Sequence, residues 1–89
     1  MNLPKKAIKM DAKDPALDPA KPAYLVFDNE MVRVEIFLPT QEKSVVIRKS
    51  SEKDELPVWS SGPLTLTHSN NQYTLDDEGK ILYQGPAPK

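Results

Sequence analysis

The sequence predicts an all-β protein: a small antiparallel meander that folds into a barrel or sandwich of five or six short strands, preceded by an extended, proline-rich N-terminal arm. Three observations predict this fold. Polar and apolar residues alternate along several short segments, and a period of two is typical of half-buried strands. Turn-forming residues separate those segments. After residue 22, no segment keeps the 3.6-residue period of an amphipathic helix.

The composition of the chain restricts it to one small domain with few kinds of chemistry. Its 89 residues are too few for two independent hydrophobic cores. The 12 Lys and Arg residues nearly balance the 13 Asp and Glu residues, and this net charge of −1 disfavours general nucleic-acid binding. Because the chain has no cysteine, disulfides, thiolate metal sites and a cysteine nucleophile are excluded.

Residues 1–22 differ in composition from the rest of the chain. They hold four of the nine prolines and five lysines, and their few large apolar residues show no period. The motif Asp-Pro-Ala occurs twice there, beginning at Asp14 and at Asp18. Proline favours extended backbone and disfavours a helical conformation in the residue before it. The sequence therefore predicts an extended or disordered arm over 1–22, a single β domain over 23–85 that folds by itself, and a short tail over 86–89.

The clearest strand signal is the alternation from Met31 to Leu38, where every second residue is valine, isoleucine or leucine. Residues 28–30, just before this segment, and residues 76–79 are typical of tight turns. Gly79 is expected to have a positive φ. Pro57 at the start of a short segment indicates an edge strand, because proline cannot donate to a ladder. The strand-like segments in chain order cover residues 24–27, 31–38, 44–49, 57–60, 63–68, 72–75 and 80–84.

The alternation also predicts which side chains form the core. Residues of one parity in each strand are expected inside, together with the sole tryptophan. The predicted core consists of Tyr24, Val26, Val32, Val34, Ile36, Leu38, Val45, Ile47, Trp59, Leu64, Leu66, Tyr73, Leu75 and Ile81.

Few residues are suited to catalysis, to a cofactor or to a metal. His68 is the only histidine, and no carboxylate lies within seven residues of it in the sequence. Three glycines are too few for a phosphate loop or a dinucleotide fingerprint. The acidic run 76–78 lacks the spaced ligands of a calcium loop and is better explained as a hairpin turn. We therefore expect no enzymatic activity, no cofactor and no metal site.

Charge and the apolar residues outside the predicted core indicate a protein partner. The arm has a net charge of +2, whereas residues 23–85 carry six bases and ten acids, a net charge of −4. In the segment 31–38, apolar residues lie on the same face as charged ones. This indicates that another protein surface covers that face. Apolar residues of the arm are expected to anchor it on a neighbouring subunit. The predicted partner-binding residues are Leu3, Ile8, Met10, Leu17, Met31, Arg33 and Phe37.

These observations predict a non-enzymatic protein–protein interaction module, an accessory or structural subunit of a larger or homo-oligomeric assembly like those of virions or secretion machines. Two alternatives stay open. One is a single-stranded nucleic-acid binder of the oligonucleotide-barrel type, which the negative charge of residues 23–85 disfavours. The other is a small protein inhibitor of an enzyme. Because no apolar run could span a bilayer and no signal peptide is recognisable, we expect no membrane partner and a cytoplasmic or virion-associated location.

Overall fold

A computed structural model describes residues 6–53 and 56–87, with side chains described for all of these except residues 50–53, 56 and 57. Within these ranges the chain is all-β, as predicted. Each strand pairs antiparallel with its neighbours in sequence, and the first pairs with the last, so that the sheet closes into a barrel. The strands, numbered in chain order, are Ile8–Ala12 (β1), Ala23–Phe27 (β2), Arg33–Phe37 (β3), Val45–Lys53 (β4), Leu56–Ser61 (β5), Leu64–Ser69 (β6), Gln72–Asp77 (β7) and Lys80–Pro86 (β8).

The barrel has eight strands rather than five or six. Seven of them fall on the seven strand-like segments located in the sequence, and the strand without such a segment is β1, which lies within the expected arm. The expected edge strand is also corrected: β5 pairs with β4 on one side and with β6 on the other, so that Trp59 lies between Lys49 and Leu66. A closed barrel has no edge strand, so Pro57 does not mark one here.

Strand β1 belongs to the barrel rather than to a separate arm. Ile8 lies opposite Leu25 of β2, and Asp11 lies opposite Gln84 of β8. The side chain of Met10 is fully buried in the core. The sequence does contain the signal: Ile8, Met10 and Ala12 alternate with the exposed residues Lys9 and Asp11. Over only five residues, this alternation was obscured by the surrounding prolines and lysines.

The Asp-Pro-Ala repeat after β1 forms two consecutive turns. In the first, the Asp14 carboxylate accepts a hydrogen bond from the N–H of Ala16, and in the second the Asp18 carboxylate accepts one from the N–H of Ala20. In each turn, the N–H three residues further on donates to the aspartate C=O. The repeated motif is therefore an ordered Asx-turn pair, not a disordered segment.

Side chains fill the interior of the barrel, as expected for eight strands. The predicted core residues of β3 and β7 are buried, but the parity of β2 is the reverse of the prediction, because Leu25 points inward. On β8, Ile81 is 44% exposed although Tyr83, two residues further on, is buried, because the β7–β8 register shifts between these positions. Val32, predicted inside, precedes β3 and is 40% exposed. Tyr24, Val26, Val45 and Leu64 are half-buried. The buried apolar residues are Met10, Ala23, Leu25, Phe27, Val34, Ile36, Leu38, Ile47, Trp59, Leu66, Tyr73, Leu75 and Tyr83.

The hairpin turns contain residues that tolerate the backbone conformations these turns require. Gly79 has a φ of 88°, which confirms the prediction, and Glu78 before it also has positive φ. Asn70 and Asn71 both adopt positive φ between β6 and β7. These are the conformations that two-residue hairpin loops require, and they fix the register of the strands on either side.

Candidate functional site

The barrel has two unlike ends. One, which we call the sealed end, is crossed by the 13–22 linker. The Lys13 N–H donates to the Leu82 C=O at 2.8 Å, and the Lys80 ammonium lies 3.1 Å from the Asp14 carboxylate. Leu17, half-buried, packs against the core there. The other, which we call the mouth, is formed by the start of β1, the β2–β3 and β6–β7 turns and the end of β8.

An aromatic cluster lies directly beneath the mouth. The ring centroid of Phe27 is 5.1 Å from that of Trp59 and 5.1 Å from that of Tyr73. The His68 ring stacks on Tyr73, with centroids 4.5 Å apart. Burial raises the pKa of Tyr73, so its hydroxyl stays protonated at neutral pH. These rings pack on one another as part of the core.

The β2–β3 turn is fastened over this cluster by hydrogen bonds. The Trp59 indole N–H donates to the C=O of Met31 at 2.9 Å, and Met31 has a φ of 60°. The Asp28 carboxylate accepts hydrogen bonds from the N–H groups of Val32 and Arg33. Burial by itself would raise the pKa of Asp28, but these N–H donors, Arg33 first, outweigh it and hold the pKa below its usual value.

Three cavities open at or near the mouth, and Lys6 lines all of them. The one above the aromatic cluster has a volume of about 210 Å³ and is lined by Ile8, Phe27, Met31 and Tyr73, among others. The shallow one on the outer face of β2–β4 has a volume of about 290 Å³. The largest, of about 530 Å³, lies between β1 and the end of β8.

Apolar residues are concentrated on the outer face of β2, β3 and β4. Val26, Glu35 and Val46 lie side by side in one cross-strand row, which places the two valines about 10 Å apart. The Glu35 carboxylate accepts a hydrogen bond from the Ser44 hydroxyl. Val46 is 55% exposed, the most of any large apolar side chain in the described residues. We call this surface and the adjoining β2–β3 turn the β2–β4 patch: Val26, Phe37 and Val46 on the strands and Met31 and Val32 in the turn, with the charged residues Arg33, Glu35 and Arg48.

The β2–β4 patch also holds two cations in direct opposition. Arg33 of β3 and Arg48 of β4 are cross-strand partners, and both are exposed. Like charges directly opposite each other in a ladder are unfavourable. The charge of Arg33 also helps to lower the pKa of the nearby Asp28 carboxylate, so the repulsion is partly relieved within the chain.

The structure separates the predicted partner-binding residues into three groups. Met31, Arg33 and Phe37 lie together in the β2–β4 patch, with Phe37 half-buried. Ile8 and Leu17 are half-buried and pack against the core from opposite ends of the barrel. Met10 is 0% exposed, which corrects its assignment to a partner surface: its side chain is a core residue. Leu3 lies outside the described residues.

Sequence reasoning missed several residues of the patch. Val26 was expected inside because the parity of β2 was inverted, and Val46 was not singled out because β4 carries consecutive valines. Pairing register decides both, since Val46 lies opposite the outward-facing Glu35. The patch could have been located only by taking the outward-facing residues of β3 and pairing them with residues of β2 and β4.

The described residues offer no group of three or more acidic or histidine side chains that could hold a metal ion. In that part of the chain there is also no helix with the length and apolar character needed to cross a membrane. Comparison with protein-family models, with curated proteins and with solved structures finds no match to this chain. The function of the protein is therefore inferred from the geometry of the barrel.

Proposed function

We propose that the protein is a non-enzymatic protein-binding module, an accessory or structural subunit that associates through the β2–β4 patch. The observation that carries the proposal is the position of the exposed large apolar side chains. Four are exposed in the described residues; Val46 lies on β4, and Met31 and Val32 lie in the adjoining β2–β3 turn. Clustered apolar side chains edged by polar ones mark contact surfaces more often than scattered ones do.

Charge supports a protein partner with carboxylates at this position. The adjacent Arg33 and Arg48 lie at the mouth side of the patch, and arginine forms bidentate pairs with carboxylates. Arginine is also among the residue types enriched in interfaces. Association would then bury the apolar part of the patch, while the arginines meet acidic groups at its rim.

The two other functions considered from the sequence receive less support. Oligonucleotide-binding barrels are five-stranded Greek keys, whereas this barrel is an eight-stranded meander. An enzyme inhibitor would use the same patch and differ only in its target. A subunit role therefore remains our proposal, with the sheet face rather than the arm as the binding surface, since Ile8–Ala12 is built into the barrel.

The test compares two single substitutions of similarly exposed residues. Val46→Asp places a charge inside the β2–β4 patch, and Ile81→Asp places one on β8, which is separated from β4 by three strands in either direction around the barrel. We expect Val46→Asp to weaken self-association, measured by sedimentation velocity over a concentration series, or binding to a protein purified with the native chain, by about tenfold or more. Ile81→Asp should leave the same association unchanged.

Two results would contradict the proposal. One is a protein that stays monomeric at all concentrations and whose co-purifying proteins are the same for both variants. The other is salt-sensitive binding of single-stranded oligonucleotides that Arg33→Glu abolishes, because phosphate contacts weaken steeply with salt. That second result would assign the patch to nucleic acid instead of protein.

A further inference from the structure

The cavity above the aromatic cluster is an apolar recess in the mouth of the barrel. We call it the mouth cavity; its volume is about 210 Å³. The buried rings of Phe27 and Tyr73 form its floor, and the half-buried side chain of Ile8 lines it from β1. Met31 lines it from the β2–β3 turn and is 41% exposed. The recess therefore combines a floor that belongs to the core with a wall that solvent can reach.

Hydrogen bonds hold the wall of the mouth cavity in place. The Trp59 indole N–H donates to the Met31 C=O at 2.9 Å. The Asp28 carboxylate accepts hydrogen bonds from the N–H groups of Val32 and Arg33, on the other side of the same turn. Met31 has a φ of 60°, which a residue with a long side chain rarely adopts. Strained residues that are fixed in this way cluster at ligand sites, because they form the pocket in advance.

The size and lining of the mouth cavity limit what it can hold. An apolar cavity of about 150 Å³ binds benzene, so the mouth cavity has room for one ring with a short substituent. Its lining favours an aromatic ring, since Phe27 and Tyr73 offer ring contacts and the Met31 thioether offers a sulfur–aromatic contact. A ligand larger than this would extend out of the recess into solvent.

Charge at the rim selects the polar end of the ligand. The Asp28 carboxylate is already engaged by two backbone N–H groups and by the charge of Arg33. The exposed Lys6 ammonium also lines the mouth cavity, and no carboxylate of the described residues forms an ion pair with it. The charge that the rim offers to a ligand is therefore positive.

We propose that the mouth cavity binds a small molecule with one aromatic ring and a carboxylate. The ring would lie on Phe27 and Tyr73, and the carboxylate would pair with the Lys6 ammonium. Small-molecule sites are often found in the mouths of β-barrels. The inference goes beyond the proposed protein-binding function and does not rest on it, although Met31 belongs both to the mouth cavity and to the β2–β4 patch.

The experiment titrates the full chain at low salt with four probes: phenylacetate, its uncharged isostere phenylacetamide, acetate and benzylamine. Phenylacetate should bind with a dissociation constant of about 1 mM, as expected for so small a ligand. Phenylacetamide should bind about two- to fivefold more weakly, because an exposed ion pair contributes little. Acetate lacks the ring and benzylamine has the opposite charge, so each should bind about tenfold more weakly than phenylacetate or worse.

Nuclear magnetic resonance measures this binding and locates it. Trp59 is the only tryptophan, so its indole N–H, which is bonded to the Met31 C=O, gives a single signal. That signal should shift together with the Met31 amide as phenylacetate is added. The amide of Gly79, in the β7–β8 turn at the sealed end, should not shift.

Two single substitutions of exposed lysines test the charge preference. Lys6→Gln should lower the affinity for phenylacetate to that of phenylacetamide for the native chain, and should leave phenylacetamide binding unchanged. Lys13→Gln makes the same change in charge at the sealed end and should alter neither affinity.

Two further variants test the apolar lining. Met31→Ala should weaken phenylacetate and phenylacetamide equally. Val46→Asp should bind phenylacetate normally, so failure of the β2–β4 patch and failure of the mouth cavity are separate results. Circular dichroism checks that all the variants are folded.

The absence of a saturable shift at about 10 mM phenylacetate, tenfold above the expected dissociation constant, would overturn the proposal. So would equal binding of phenylacetate and benzylamine, or an equal effect of Lys6→Gln and Lys13→Gln, since Lys6 would then not select the ligand. Shifts at Gly79 without shifts at Trp59 and Met31 would place the ligand outside the mouth cavity.

Discussion

At the sealed end, the 13–22 linker crosses the barrel and bonds directly to β8, whereas at the mouth the turns bond to the core and to the end of the chain beside open cavities. The Asp14 carboxylate is held by the Ala16 N–H and by Lys80, and the Glu78 N–H donates to the Pro63 C=O across two hairpins. At the mouth, the β2–β3 turn is tied inward through Trp59, and the Ala87 N–H donates to the Asn71 C=O. A linker thus covers one end of the barrel, and cavities open at the other.

The difference indicates where a small barrel can bind a partner. At the sealed end, the linker already covers part of the barrel and the Asp14 carboxylate is paired with Lys80, so less surface is left there for a partner. Near the mouth, exposed apolar residues lie beside two opposed arginines. Uncovered apolar surface is what association can bury.

The largest expected effect comes from removing the element that the two ends share. A protein that begins at Pro22 loses β1 and the linker, and with them both ladders that close the barrel and the buried side chain of Met10. We expect this truncation to lose cooperative unfolding and β-type circular dichroism, because β2 and β8 then become long unpaired edges around an open core.

A protein that begins at Lys6 is the matched control, since it keeps every described contact. It should unfold as the full chain does. A stable fold for the protein that begins at Pro22 would mean that β1 is an accessory strand, as the sequence had suggested when it placed a self-sufficient domain over 23–85.

The alternation of β3 and the turn residues located most of the barrel from the sequence, because period and turn chemistry are local properties. Val34, Ile36 and Leu75 are buried as expected, and Gly79 has positive φ. The all-β class follows from the same local signals. Trp59 is also buried, and its packing against Phe27 agrees with its predicted place in the core.

The parts that could not be predicted depend on long-range pairing. Apolar residues follow one another without interruption from Tyr24 to Phe27, so only the register with β1 and β3 decides that Leu25 faces inward. Met10 is buried because β1 lies between β2 and β8, and β8 lies more than 70 residues away along the chain.

An intermediate effect is expected at Gly85, where β8 packs closely against β1. A Cβ atom at Gly85 would lie 2.3 Å from the Lys9 carbonyl oxygen and 3.0 Å from the Met10 Cα, so Gly85→Ala must push β1 away. Overpacking of this kind costs about 1–3 kcal/mol, measured as a lower free energy of unfolding in denaturant. Amide exchange should accelerate in β1 before it does in β6.

Gly79→Ala separates this effect from the general cost of replacing a glycine. Nothing lies within 4 Å of a Cβ at Gly79, and its φ of 88° makes the cost one of local backbone strain. In the Gly79→Ala protein, amide exchange should change at the β7–β8 turn and not in β1. Faster exchange of β1 in both variants would show that Gly85 has no special role in closing the barrel.

The smallest expected effect tests the sealed end with the two Asx turns as internal controls. Asp14→Asn keeps a carbonyl acceptor for the Ala16 N–H but removes the ion pair with Lys80. Asp18→Asn makes the equivalent change in the second turn, where the residue is exposed. The Ala16 N–H and then Lys80 lower the pKa of Asp14 from 3.8, so its charge stabilises the fold above about pH 4. That stabilisation is lost as the pH falls through the lowered pKa.

At pH 7, Asp14→Asn should therefore lower the denaturation midpoint slightly, and Asp18→Asn should not. At a pH below the lowered pKa of Asp14, where the native carboxyl is protonated, the Asp14→Asn protein and the native protein should have the same midpoint. A difference between them that persisted at the lower pH would mean that the ion pair with Lys80 does not stabilise the sealed end. The contrast between the two ends would then depend on the linker's backbone hydrogen bonds and on the packing of Leu17.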